Sequence, residues 1–292
     1  MSHLTDEIAS QPECWTKAID LAASAGLALP APGERAAVIG CGSSLNVARC
    51  YAALREAAGQ GETDAFPASE VPAARHYDRL VYVSRTGTTT EVLDALRQAP
   101  AGVRTTAIAA DPGSPLVQEA DAVLLLDFCA ERSVVSSRFI TSALVLLRAH
   151  LGEDLRALPD AAARELSRPL PTGLAARREF TFLGRGWAAA VADEAALKLR
   201  EASRTWAESY PAMEYRHGPI SVSDETTVVW ALGQVPPSLL ADARRTGAMV
   251  IASDADPLVA LTSAQRLAVE LAERRGIDPD HPRALSRSVI LT

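Results

Sequence analysis

The 292-residue chain is 48% hydrophobic with a formal net charge of −7. That length allows about two domains or lobes with real cores, and the acidic balance argues against general nucleic-acid binding, which rests on clustered Lys and Arg. Cys14, Cys41, Cys50 and Cys129 lack C-x-x-C spacing, the first residues lack a basic and then apolar leader, and no apolar stretch approaches the roughly 20 residues of a membrane helix, so the chain reads as soluble, reduced, unprocessed and cytoplasmic.

In chain order, an N-terminal helix is expected somewhere in 12–25, followed by a buried strand over 36–39 and a helix over 45–58. Strands near 80–84, 105–109 and 122–127 alternate with helices at 89–99 and 136–151, the grammar of an α/β fold with a parallel sheet. After a helix over 156–167, Arg168-Pro169-Leu170-Pro171-Thr172-Gly173 breaks the periodicity, which places a lobe boundary between 1–168 and 174–292. The second lobe repeats the grammar: a strand at 179–183, Gly184-Arg185-Gly186, a long helix at 188–204, strands at 226–232 and 248–253, and a closing helix at 262–275.

Two segments point to an anion. Gly40-Cys41-Gly42-Ser43-Ser44 and Ser84-Arg85-Thr86-Gly87-Thr88-Thr89 each lie where a strand ends and a helix begins. Glycine lets backbone N–H groups approach an anion, the helix N-terminus adds partial positive charge, and the hydroxyls can bind phosphate oxygens. Two such loops at successive strand ends outline a phosphate crevice in the first lobe; the second-lobe turn at 233–237 has few hydroxyls. A dinucleotide fingerprint is rejected because Leu45 takes the place of its third glycine. The five histidines are scattered, so no metal or other cofactor is expected.

Glu194, Lys198 and Glu201 share one helical face by their i, i+4, i+7 spacing. Spacing alone favours ordinary surface ion pairs, Glu194 with Lys198 and Glu201 with Arg204, on a solvated face. His217, before Gly218-Pro219, suits proton shuttling near neutral pH, but a lone histidine does not establish catalysis.

These segments, with Glu7-Ile8, Gln11-Pro12, Ala68-Ser69-Glu70, Glu131, Val134, Ser136-Ser137, the run Glu194 to Glu201, Glu208-Ser209-Tyr210, His217-Gly218-Pro219 and the tail Asp280 to Val289, resemble the sugar isomerase (SIS) family of phosphosugar-binding proteins. The resemblance extends over nearly the whole chain and is most specific to the isomerase half of glutamine:fructose-6-phosphate amidotransferase. It implies two tandem SIS lobes, each a parallel sheet flanked by helices in a flavodoxin-like three-layer αβα arrangement. It also implies that Ser43, Ser44, Ser84, Thr86 and Thr89 surround the phosphate and that Val134 and Ser136 contact the sugar. Glu201 would move a proton between C1 and C2 with support from Lys198, and His217 would help open the sugar ring. In that family the histidine reaches the site from the neighbouring subunit, which implies a homodimer.

The departures redirect the chemistry. No glutaminase segment precedes the isomerase part, so glutamine-dependent synthesis is not expected. By the resemblance, Arg287 stands where the amidotransferase (glucosamine-6-phosphate synthase) carries its Schiff-base lysine, and a guanidinium that stays protonated cannot form that imine. Arg287 can still bind sugar oxygens, and Arg85, in place of a glutamine, either adds a cation near the substrate or is a helix-flanking surface charge. The expected function is a stand-alone phosphosugar isomerase or deaminase acting on a 6-phosphorylated amino sugar. The alternatives are a fructosamine-6-phosphate deglycase and a non-catalytic phosphosugar-binding protein.

Overall fold

The computed structural model describes residues 2–291, and they form two α/β units that interleave along the sequence. In chain order the helices and strands are α1 (His3–Ala9), α2 (Gln11–Ala22), β1 (Ala36–Gly40), α3 (Ser43–Ala57), β2 (Thr63–Pro67), β3 (Arg79–Val83), α4 (Thr90–Arg97), β4 (Arg104–Ala109), α5 (Pro115–Glu119), β5 (Ala122–Leu125), α6 (Arg138–His150) and α7 (Leu158–Ser167). They continue with β6 (Glu179–Gly184), α8 (Trp187–Ser203), β7 (Trp206–Pro211), β8 (Thr227–Leu232), α9 (Pro237–Arg245), β9 (Met249–Ser253) and α10 (Pro257–Arg274).

One unit holds a five-stranded parallel sheet in the order β2-β1-β3-β4-β5. β1 and β3 are buried along their whole length, as strands covered on both faces must be, which explains their unbroken apolar runs. On one side Tyr82, Leu93, Leu96 and Leu116 pack with Ile39 in a shared core. Within the same unit α2 packs on α6, where the Trp15 indole donates to the Thr141 hydroxyl at 2.9 Å. The other unit has a four-stranded parallel sheet, β7-β6-β8-β9, with α8 packed on α10. In each sheet the chain steps first to one side of its founding strand and then to the other. That reversal creates a switch point, between β1 and β3 in one sheet and between β6 and β8 in the other.

The expected fold class is the observed one, two lobes of parallel sheet with flanking helices. Two strands escaped the sequence reading, β2 and β7, and both are edge strands beside the founding strand. Their sequences, Thr-Asp-Ala-Phe-Pro and Trp-Ala-Glu-Ser-Tyr-Pro, are polar and only partly buried, so they lack the apolar run of a central strand. α10 starts five residues before the expected position because the Asp256 carboxylate accepts from the Leu258 N–H at 2.9 Å and Pro257 occupies the first turn.

The units divide differently from the expected 1–168 and 174–292. The four-stranded unit comprises residues 1–9, 133–135 and 160–285, and the five-stranded unit comprises 10–132, 136–159 and 286–292. The termini are exchanged because each is tied to a segment far away in sequence. The N–H groups of His3 and Leu4 in α1 donate to the Asp280 carboxylate, both at 2.8 Å, and α1 packs on α10. At the other end, the Thr90 N–H donates to the Val289 carbonyl at 3.1 Å, tying the tail to the start of α4.

Candidate functional site

In the five-stranded unit, β1 ends at Gly40 and the chain turns through Gly42 at φ 55°, ψ −123°, a conformation that glycine reaches without a side-chain clash. A Cβ on Gly40 would lie 2.7 Å from the Ser44 Cβ, so strand and helix meet at a distance only glycine permits. Ser43 and Ser44 therefore open α3, whose N-cap is Gly42. After β3, Ser84 is buried and accepts the Gly87 N–H at 3.2 Å, which curls the second loop back on itself. Thr86, Thr88 and Thr89 are half-buried; the Thr88 hydroxyl is in hydrogen-bond contact with the Thr86 hydroxyl at 3.1 Å and with the Ser288 hydroxyl of the tail at 3.0 Å. These are two hydroxyl-rich turns, each opening a helix, at the switch point of one sheet. The arrangement suits an oxyanion, since N–H groups and hydroxyls both donate and the helix dipoles favour negative charge.

Arg85 is placed otherwise than a substrate cation would be. Its side chain is buried, and Nη1 lies 2.8 Å from Oε2 of the fully buried Glu131. Nη2 also reaches the Arg287 carbonyl at 3.4 Å. Glu131 in turn accepts the hydroxyl of Ser136 at 2.9 Å and the backbone N–H groups of Ser137 at 2.7 Å and Phe139 at 3.2 Å. Burial alone would raise the Glu131 pKa, but the Arg85 charge and these donors outweigh it and hold the carboxyl below the ordinary glutamate range. The Arg287 side chain itself is exposed. The pair Val134 and Ser136 is split by the division of the chain, and in the four-stranded unit the Val134 N–H donates to the Asp280 carbonyl at 3.0 Å.

In the four-stranded unit the turn Gly184-Arg185-Gly186 repeats the first one, with Gly186 at φ 56°, ψ −131°. The chemistry lies further along α8. Lys198 is 1% exposed and Glu194 3%, so the solvated face favoured by spacing does not exist here. Lys198 Nζ sits 2.5 Å from Oε2 of Glu201 and 3.3 Å from Oε1 of Glu194. Burial would lower the lysine pKa; the two carboxylates reverse that and hold it above the usual value. Glu201 is the member of the trio that meets solvent. Its other expected partner, Arg204, ends the helix in a left-handed conformation at φ 53° and is exposed. His217 is exposed at the end of a short 3₁₀ segment, Ala212–His217.

The structure thus brings together Ser43 with Ser44, Ser84 with Thr86 and Thr89, and Lys198 with Glu201, each within its own unit. Sequence reasoning did not assign Glu131, Glu194 or Ser288. Glu194 was visible in the i, i+4 spacing; Ser288 acts through a contact 200 residues away in sequence, for which no local signal exists.

The chain is 31% identical to the isomerizing glutamine–fructose-6-phosphate aminotransferase of Thermus thermophilus, over 90% of this chain and 53% of that protein. Its fold superposes on the crystal structure of glucosamine-6-phosphate deaminase from Thermotoga maritima with a TM-score of 0.82 and 27% identity, covering 99% of this chain and 100% of the other. The chain belongs to the sugar isomerase (SIS) family. No protein-family model matches it. Among SIS folds, the C-terminal domain of glucosamine-fructose-6-phosphate aminotransferase from Francisella tularensis superposes with a TM-score of 0.83 at 22% identity, over 96% of this chain and 98% of that domain, a likeness of fold. This SIS protein spans about half the length of the Thermus aminotransferase. Among the described residues no helix is long and apolar enough to cross a membrane.

Proposed function

We propose that this protein is a phosphosugar isomerase or deaminase, acting on a 6-phosphorylated amino sugar such as glucosamine 6-phosphate by proton transfer between C1 and C2. The observation that carries this reading is the Glu194–Lys198–Glu201 trio. A buried lysine clamped between two carboxylates leaves one of them, Glu201, at the surface with a fixed orientation. Aldose–ketose interconversion needs one such group, which takes a proton from one carbon of an enediol and returns it to the next. Because Lys198 is buried, its part is to orient Glu201 rather than to touch the sugar. The hydroxyl loops at 43–44 and 84–89 are the proposed phosphate holders, supplying remote binding energy that positions the reacting carbons. Val134 and Ser136 are the proposed sugar contacts. Arg287 cannot form an imine, which favours the smaller isomerase or deaminase reaction over covalent chemistry of the synthase kind.

The test is turnover of a panel of hexosamine, hexose and fructosamine 6-phosphates, following ammonia and ketose. Glu201→Gln should lower kcat by about 10²–10⁴-fold with phosphosugar affinity retained; unchanged kcat would remove Glu201 from the mechanism. Wild type that binds but turns over no member would leave a binding protein.

His217 is exposed beside exposed Met213 and Val222, which suits a subunit interface. The proposed homodimer in which His217 serves the neighbouring subunit's site makes a distinct prediction. Mixed one to one, inactive His217→Ala and Glu201→Gln subunits should recover about a quarter of wild-type activity, since half the dimers then hold one intact site. No recovery after verified subunit exchange would assign His217 to its own subunit or to no catalytic role.

A further inference from the structure

We infer that Glu131 is a positioning residue that sets the hydrogen-bond polarity of the sugar end of the site: it fixes the Ser136 hydroxyl as an acceptor and withdraws Arg85 from phosphate binding. This rests on the phosphosugar reading above and deepens it to a statement about substrate groups.

Both carboxylate oxygens of Glu131 are engaged. Oε2 takes Arg85 Nη1 at 2.8 Å and the Ser136 hydroxyl at 2.9 Å; Oε1 takes the N–H groups of Ser137 and Phe139 at 2.7 and 3.2 Å and the Ser137 hydroxyl at 3.2 Å. The side chain is 0% exposed, so these partners replace water entirely. An ionised carboxylate only accepts, and Arg85 together with two amide donors keeps it ionised at neutral pH. A serine hydroxyl has one proton, and that of Ser136 is committed to Glu131. Toward a ligand, half-buried Ser136 therefore offers lone pairs alone. It is matched to a donor such as a sugar O–H or an amino N–H, and mismatched to a phosphate oxygen.

The same carboxylate neutralises Arg85. That arginine sits between Ser84 and Thr86, where a free guanidinium would dominate phosphate affinity, yet its charge is turned inward to Glu131 and its Nη2 toward the Arg287 carbonyl. Phosphate is then left to hydroxyls and backbone N–H groups. Glu131 also pins the start of α6 to the 84–89 loop, so both candidate substrate segments of this unit depend on one side chain.

The test uses the full chain and three variants, Glu131→Gln, Ser136→Ala and Arg85→Gln/Glu131→Gln. Calorimetric Kd values are measured for glucosamine 6-phosphate and inorganic phosphate, with amide hydrogen exchange on the free proteins. Ser136→Ala should weaken glucosamine 6-phosphate by about tenfold, the loss of one well-placed hydrogen bond, and leave inorganic phosphate within about twofold. Glu131→Gln should match that loss and speed exchange in both 84–89 and 136–139, while the double variant, a neutral amide pair, should restore the exchange protection without restoring the affinity. Unchanged exchange in both segments of Glu131→Gln, or an equal loss of inorganic phosphate and sugar phosphate in Ser136→Ala, would overturn the inference. Should wild type bind no sugar phosphate, the phosphosugar reading fails, and the exchange data alone decide whether Glu131 positions the two segments.

Discussion

The turns after β1 and after β6 are near copies in backbone and unlike in chemistry. Gly42 and Gly186 differ by 1° in φ and 8° in ψ, and a Cβ on either Gly40 or Gly184 would collide with the residue four positions on. One turn leads to Ser43 and Ser44, the other to Trp187 and Ala188. Eight, twelve and fifteen positions after the turn glycine, α8 carries Glu194, Lys198 and Glu201, while α3 carries Cys50, Leu54 and Ala57. One unit thus keeps hydroxyls at the helix start, and the other keeps ionisable groups two to four turns along. The comparison teaches that the shared scaffold fixes where a helix begins, and that side chains alone then make the two copies chemically different; the proposed function assigns holding to one and reacting to the other.

The largest expected effect comes from removing the buried cation of α8. Lys198→Met leaves Glu194 and Glu201 facing each other without a counter-ion, and stability should fall by about 3 kcal/mol, the usual cost of stranding one side of a buried pair. Denaturant unfolding measures this, and kcat should fall with it; a variant of wild-type stability would mean that the trio is not held as described. Smaller effects follow from the copy proposed to hold the phosphate. Ser44→Ala should raise KM for sugar phosphate by several-fold, about 1 kcal/mol of lost hydrogen bonding, with kcat nearly kept. The reciprocal Ala188→Ser should create no phosphate affinity, because the turn after β8 lacks the second set of hydroxyls. Phosphate binding gained by Ala188→Ser would break the proposed division of labour.

The smallest effects separate the two copies by pH. Glu131 has a folded pKa below its ordinary value near ~4.3, so its stabilisation is present above that value and is lost as pH falls through the depressed one. Lys198 is shifted upward, so its contribution is complete below an ordinary lysine value of ~10.4 and is lost as pH rises through the elevated one. Stability against pH should therefore weaken on an acid limb through the five-stranded unit and on an alkaline limb through the four-stranded unit. Glu131→Gln should flatten the first and Lys198→Met the second; either substitution flattening the opposite limb would show the assignment reversed.

Much of the fold was legible because buried parallel strands must be apolar throughout, and Ala36–Ile39, Leu80–Val83 and Val228–Leu232 are. The edge strands β2 and β7 were not, since an edge needs no such run. The candidate site was legible in its turns, where glycine and hydroxyls have few other reasons to cluster. It was poorly legible on α8, because i, i+4 spacing describes an exposed ion pair and a buried trio equally well.

Read alone, residue order settles the layered α/β class, the two copies and the loops suited to an anion, since periodicity, glycine turns and hydroxyl clusters are local properties of the chain. Burial of Lys198, the turn of Arg85 away from solvent toward Glu131, and the exchange of the two termini between units arise from contacts between distant segments. Such contacts depend on which surfaces meet when the chain packs, and no local pattern encodes that meeting.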